Sequence, residues 1–413
     1  MASETMIDNS NRVSFQPVRS PACKMIMNPV FAELPNTIFD VMSGLARELN
    51  AVNLGQGFPD EPGPEDVRRK AADAVLHGWN QYPPMMGLPE LRQAIAAHYA
   101  RFQGLDLDAT GETMVTSGAT EALAAAILAV VSPGDEVVLF QPMYDAYLPL
   151  VLRAGGVPRF VNLRPPQWTF TREDLEAAFS TRTRVVIFNN PLNPCATIFP
   201  DEQLELLAEF CQRYDAAAIC DEVWEHIIFD DRRFTSMMAV KGMRERTIKI
   251  GSAGKIFSLT GWKVGLVAAA PDLMKVVSKA HQFLTFTTAP NLQIAVAHGL
   301  AKEESYFTHM RWGFQQSRDR FVAELSGMGF QLMPNHGTYF VNVDIGDIEG
   351  VDDTAFADRL VREFGVASIP VSAFYAQEPN KSTVRFCFAK SDSTLDEGFI
   401  RLRRAARALG LRG

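Results

Sequence analysis

Between residues 114 and 269, short β-branched or apolar runs alternate with helical stretches, and no other feature of the chain limits its fold so tightly. Met114-Val115 leads through Thr116-Ser117-Gly118-Ala119-Thr120-Glu121 into an Ala/Leu-rich helix ending near Val131. Residues 135–140, 159–163, 185–188, 216–220, 247–250 and 264–269 read as strands. Helical patterns fall at 144–152 and around Leu204, Leu207, Phe210 and Cys211. Strands alternating with helices predict an α/β fold with a mainly parallel sheet covered on both faces. Ligands of such sheets collect at the carboxyl ends of the strands. Gly118, Asn193, Asp221 and Lys255 all fall there.

The flanking regions follow another rhythm. Residues 1–30 are polar, without a period, and read as an N-terminal arm. A helix is expected over 36–49, with Ile38, Val41, Met42 and Leu45 on one face. A short strand then runs into Gly55-Gln56-Gly57-Phe58-Pro59. Further helices are expected over 64–76 and 88–102. Beyond about residue 300 come a long helix (303–328), a strand (337–343), a helix (354–364), strands at 366–370 and 383–389, and a closing helix (395–409). The expected domains are a large one, 66–305, and a smaller α+β one built from 31–65 and 306–413.

Bulk properties exclude several function classes. At 413 residues, two domains are the default. A net charge of -8 with no basic stripe argues against nucleic-acid binding. The richest apolar run, 122–131, is about half of the ~20 residues a membrane span needs. Glu4, Asp8 and Asn9 replace an apolar signal region, so a cytoplasmic location is expected. The five cysteines (Cys23, Cys195, Cys211, Cys220, Cys387) are scattered and read as reduced thiols. No metal site is expected, and no G-x-G-x-x-G follows a strand, which disfavours a nicotinamide dehydrogenase.

The chemistry-bearing stretch is Ile250-Gly251-Ser252-Ala253-Gly254-Lys255-Ile256-Phe257-Ser258-Leu259-Thr260-Gly261-Trp262-Lys263. Lys255 leaves a loop at a sheet edge, where desolvation lowers an amine's pKa and frees it for Schiff-base chemistry. Ser252-x-x-Lys255 fits a serine acyl-transfer pattern, but no Ser-Asp-Asn or Lys-Thr-Gly accompanies it. Gly254-Lys255 hints at a P-loop, yet Gly251 stands too close and Ile256 replaces the hydroxyl residue. A solvated lysine in an ordinary turn fits equally.

Other candidates are similarly two-sided. The 117–120 turn suits a phosphate at a helix N-terminus, or is an ordinary βα turn. Asp221 ends an apolar strand, so its carboxylate needs a cation: a protonated pyridine nitrogen or a neighbouring Arg or Lys. Asn193 can donate to a phenolate oxygen or close an Asx turn. Tyr144 can stack on a flat ring or simply fill core. Arg385, among apolar neighbours, suits a substrate carboxylate or a structural ion pair.

In this order along one chain, these residues resemble the fold-type-I pyridoxal-phosphate aminotransferases of class I. Within that family they are similar to the group containing kynurenine/glutamine and methionine transaminases. The supporting stretches are 53–60, Asn80-Gln81-Tyr82, 116–123, Asn190-Pro191-Leu192-Asn193-Pro194, Asp221-Glu222-Val223, 252–265 and Arg385-Phe386-Cys387-Phe388, over about 36–409.

The resemblance implies a seven-stranded-type sheet, pyridoxal 5′-phosphate as cofactor, and transfer of an amino group from an L-amino acid to a 2-oxo acid. Lys255 would carry the cofactor as a Schiff base and shuttle the proton. Asp221 would face the ring nitrogen, Asn193 the ring hydroxyl, and Tyr144 the ring face. Ser252, Lys263, Gly118, Ala119 and Thr120 would form the phosphate site. Tyr82 would reach the phosphate of a neighbouring subunit, which implies a homodimer with shared sites. Arg385 would hold the α-carboxylate beside Gly57 and Asn193, with Phe286 and Ile38-Phe39 bordering the side-chain pocket. Trp224 stands where the family has tyrosine, offering an indole N–H in place of a phenol. Apolar residues (Phe39, Phe58, Tyr144, Phe286) favour methionine, glutamine, phenylalanine or kynurenine as donor. The rival readings are a cysteine-S-conjugate β-lyase and an aspartate-type aminotransferase. A non-catalytic regulator would need a DNA-binding domain that about 30 preceding residues do not supply.

Overall fold

Successive residues of each central strand point into two different apolar layers, and that alternation sets the architecture. Val138, Val186, Phe188, Ala218 and Cys220 pack on one side of the sheet. Val137, Leu139, Val185, Ile187, Ile219, Ile248 and Ile250 pack on the other. Such strands have no solvated face, as a parallel sheet covered by helices requires. The computed structural model describes residues 27–348 and 350–411. Contacts divide the chain into two units, Met1–Pro35 and Asn36–Gly413. In the first, the described residues form the one-turn helix Pro29–Ala32. The expected arm, 1–30, lies outside the described residues as far as residue 26, as does Cys23.

The central sheet has seven strands: β1 (Thr113–Thr116), β2 (Glu136–Gln141), β3 (Val157–Asn162), β4 (Thr183–Asn189), β5 (Ala217–Asp221), β6 (Thr247–Ser252) and β7 (Gly265–Ala269). Their order is β1-β7-β6-β5-β4-β2-β3. Neighbours pair in parallel except β7, which is antiparallel to both β1 and β6. Register places Asn189 beside Asp221 and Asp221 beside Ile250, while Ser252 lies opposite Gly265 and Gly265 opposite Thr116. The carboxyl ends of β1, β4, β5 and β6 therefore share one edge.

The other strands form a four-stranded antiparallel sheet (Gln331–Leu332, Phe340–Asp344, Ile369–Pro370, Thr383–Cys387) and a parallel pair, Val52–Asn53 with Val366–Ala367. One strand was expected over 366–370, but the chain splits it between two sheets. Pro370 has no N–H to donate and takes an edge position. Val41 was expected on the buried face of the helix Ile38–Glu48, whereas that helix buries Met42, Ser43 and Ala46 and leaves Val41 exposed. The helices Pro271–Leu284 and Pro290–Leu300 were not anticipated, although each announces itself with proline in its first turn.

Behind β5 and β6 lies a buried polar cluster. Lys249 Nζ donates to Glu222 Oε2 and Glu225 Oε2, both at 2.6 Å, with all three side chains almost wholly buried. Glu222 also accepts from Ser236 Oγ (2.7 Å) and the Met237 N–H (2.8 Å). A buried carboxylate is tolerated only with such partners. The cluster fixes the strand end from which Asp221 projects.

Candidate active site

At the shared strand edge a cavity of about 230 Å³ is lined by Gly118, Ala119, Thr120, Tyr144, Asn193, Asp221, Trp224, Ser252, Lys255 and Lys263, together with Leu123, Asn189, Val223 and Thr260. Ten residues singled out in the sequence, from the ends of five different strands, thus surround one space. The helix Ala119–Val130 opens towards it, and its N-terminal dipole favours an anion. Gly118 has φ +85°, and a Cβ there would lie 2.9 Å from Lys263 Cε. Only glycine lets the lysine close over this turn. Lys263 itself sits in the left-handed region after a 3-10 turn, beside Ser252 at the end of β6. Backbone donors, a hydroxyl and a cation make a phosphate-binding set.

Asp221 is 6% exposed and makes no ion pair among the described residues. Its Oδ2 accepts from Tyr147 Oη at 2.6 Å, and its Oδ1 from the Val223 N–H at 3.4 Å. Burial pushes this carboxyl above the usual range; the Tyr147 bond, the Val223 N–H and the charge of Lys255 work the other way. Lys249, one residue off in register and on the other face of the sheet, is taken by Glu222 and Glu225. A buried carboxylate, aimed into a cavity and lacking a cation, suits a protonated ring nitrogen. The residues present therefore fit a pyridoxal phosphate: an anion cradle, a carboxylate for its nitrogen, and a lysine.

Arg385, projecting from the strand Thr383–Cys387, is fully buried. It donates to Asn193 Oδ1 at 2.7 Å and to the Gly55 carbonyl at 3.0 Å, and lies 3.8 Å over the Phe340 ring. Its Nε has no partner among the described residues. The structural ion pair that the sequence left open does not form among the described residues. Because the Asn193 amide oxygen faces Arg385, its NH₂ group remains to donate elsewhere. Phe39 lies 5.3 Å from the guanidinium, with Phe374 packed edge-on to it.

Lys255 occupies the one-turn helix Ala253–Ile256. Burial is the main cause that lowers its amine to about 8. The amine donates to Tyr339 Oη at 3.1 Å, lies 3.5 Å from the Gly57 carbonyl, and stands 4.6 Å from the centre of the Trp224 ring. Trp224 thus offers its ring face to the lysine.

Several sequence-predicted residues do not line this cavity: Arg385, Gly57, Ile38 and Phe39 stand outside the lining, and so do Tyr82, Phe286 and Phe58. Tyr82 is 81% exposed and packs edge-on against Phe286, centroids 5.4 Å apart, away from the lining. Phe58 lies under the Lys390 amine at 4.5 Å, also outside the lining. Three neighbours were missed. Tyr147 opens the helix Tyr147–Arg153, which starts three residues later than expected, and its ring meets that of Tyr144 edge-on with centroids 5.7 Å apart. Asn189, whose amide holds the Asp221 carbonyl and the Asn193 N–H, and Tyr339 carry no local signal.

The family model described as aminotransferase class I and II matches residues 50–402. A methionine aminotransferase from Escherichia coli (strain K12) is 40% identical over 371 residues, covering 90% of this chain and 96% of the relative. Kynurenine–oxoglutarate transaminase 1 from Homo sapiens is 35% identical over 394 residues, covering 87% and 93%. The solved structure of N-succinyldiaminopimelate aminotransferase from Mycobacterium tuberculosis superimposes with a TM-score of 0.89 at 40% identity, covering 92% of this chain and 100% of that one.

Proposed function

We propose, since this chain belongs to the class I and II aminotransferase family, that Lys255, Asp221 and Arg385 divide its amino-transfer reaction among them. The observation that carries this division is the meeting of a lowered lysine amine and a cation-less buried carboxylate in one cavity. Pyridoxal 5′-phosphate, the cofactor of this fold, supplies an electron sink when bound. Gly118, Ala119, Thr120, Ser252 and Lys263 would hold its phosphate, Asn193 and Trp224 would border its ring oxygen, and Tyr144 its ring face.

The protein's own groups do the rest. Asp221 would keep a proton on the ring nitrogen. Arg385, fixed by Asn193 and Gly55, binds the α-carboxylate of the amino acid and then of the oxo acid. That clamp aims the Cα–H at Lys255 Nζ, which takes the proton as a general base and returns it as an acid. An amine held near 8 serves both tasks close to neutral pH. Trp224, Tyr339 and Phe340, all buried, keep water from the reacting atoms.

The donor is a neutral or aromatic L-amino acid such as methionine, glutamine, phenylalanine or kynurenine. Phe39, Phe340 and Phe374 surround the Arg385 guanidinium, so apolar surface lies beside the carboxylate clamp. The methionine and kynurenine activities of two relatives support this choice. Adding single amino acids to cofactor-loaded protein and following its visible absorbance tests it. Methionine or an aromatic donor should bleach the cofactor band faster than aspartate; a preference for aspartate, or for an acylated diamino acid, would overturn the donor assignment.

We also propose a homodimer with shared sites. Leu76, Trp79, Tyr82 and Phe283 are 73–85% exposed, and the Tyr82–Phe286 contact joins their two segments into one apolar patch. Such a patch marks an interface. Sedimentation should find two chains per particle, and Tyr82→Ala should release cofactor more readily; a monomer with full activity would contradict both. The seven-stranded sheet falls within 66–305 and the four-stranded one within 306–413, which supports the large and small domains. No helix among the described residues is long and apolar enough to cross a membrane. The four described cysteines are buried and unpaired, which suits a reducing, cytoplasmic setting.

A further inference from the structure

The Lys255 amine has one hydrogen-bond partner at normal distance among the described residues, and that partner is constrained to a single role. Tyr339 is fully buried, and its hydroxyl donates to the Gly57 carbonyl at 2.8 Å while accepting from Lys255 Nζ at 3.1 Å. A phenol has one proton to give. With that proton committed to Gly57, the oxygen meets the amine only as an acceptor and leaves its lone pair untouched. The surrounding rings hold this arrangement. Trp224 and Phe340 pack edge-on against Tyr339, at 4.4 Å and 5.1 Å. Gly57 cannot carry a side chain, because a Cβ would stand 2.8 Å from the Phe340 ring.

We propose that Tyr339 is a positioning residue for Lys255: its hydroxyl, oriented by the Gly57 carbonyl, holds an N–H of the free amine so that the lone pair faces the substrate's Cα–H. This rests on the role assigned to Lys255 above. The charged and titratable groups that also face the amine are Asp221 and Cys387, which raise its proton affinity, and Arg385 and Lys263, which lower it. A hydrogen bond to nitrogen is stronger when the nitrogen is charged. Losing the phenol therefore favours the neutral amine, and the pH limb on which it appears moves lower.

Tyr339→Phe keeps the ring and removes the acceptor. A misplaced amine should cost about 100-fold in kcat. Two further readouts separate positioning from packing. The first is the pH dependence of Lys255 acetylation in the full chain without cofactor, read by mass spectrometry; it should shift to lower pH in the variant. The second is the effect of Tyr339→Phe in a Lys255→Ala background supplied with methylamine, where it should largely vanish because the base is no longer tethered. Wild-type kcat with an unmoved acetylation profile, or an equal loss in both backgrounds, would overturn the proposal. Should Tyr339→Phe fail to fold, a fluorotyrosine at this position, a weaker acceptor, should shift the profile the same way, and no shift would overturn it. If Lys255→Ala alone keeps full activity, the Lys255 assignment has failed instead.

Discussion

Lys255→Ala is expected to lose amino transfer by about 10³-fold or more while the protein stays folded. A positioned general base is worth about 10²–10⁴ in rate, and this one is additionally the covalent anchor proposed for the cofactor. No other lysine can take over its place. Lys249 is locked between two glutamates, and Lys263 is committed to the phosphate end, where it packs against Gly118. The folded state loses little, because among the described residues the amine's one bond of normal length is to Tyr339. Stopped-flow absorbance with an excess of donor reads the loss, and circular dichroism checks the fold. A variant that turns over at the wild-type rate would remove Lys255 from the chemistry.

The second large effect concerns stability. Lys249→Met conserves volume but leaves Glu222 and Glu225 buried without their cation. Breaking a buried ion pair from one side costs about 3–5 kcal/mol. Marginal domains have only about 5–15 kcal/mol in hand, so urea unfolding should shift clearly. The sign of the pH dependence follows from the carboxyls. Burial already raises Glu222, and without the charge of Lys249 it moves higher still. A carboxyl whose folded pKa exceeds its unfolded one stabilises below the unfolded value, and that contribution is lost as pH rises through the folded value. The variant should therefore approach wild type in acid and fall furthest behind at neutral pH. A loss that is constant with pH would show that the charges were not its cause. Because Glu222 follows Asp221 directly, the variant should also bind cofactor more weakly.

How much of this was written in the sequence depends on the range of the interaction. Strand and helix existence over 114–269 followed from period and β-branching, because each core face repeats locally. Strand direction did not: nothing in Leu266-Val267-Ala268-Ala269 distinguishes antiparallel β7 from a parallel strand. The cavity residues were legible because each ends a strand, and strand ends of a parallel sheet share an edge. Asp221 looked needy of a cation, yet among the described residues it makes no ion pair, and Lys249 on the other face of the sheet goes to Glu222 and Glu225. Tyr339 and Phe340 reach Lys255 and Arg385 from about 80 and 45 residues away in sequence, so no window could join them. Tyr82 and Phe286 drew their assigned roles from the resemblance, and within one chain they meet each other instead.

Reducing cofactor-loaded protein with borohydride, digesting it and locating the added mass addresses the central assignment most directly. One modified peptide, carrying the pyridoxyl phosphate on Lys255, is the predicted result. The same mass on Lys249, Lys263 or any other lysine, or no mass retained, would contradict it.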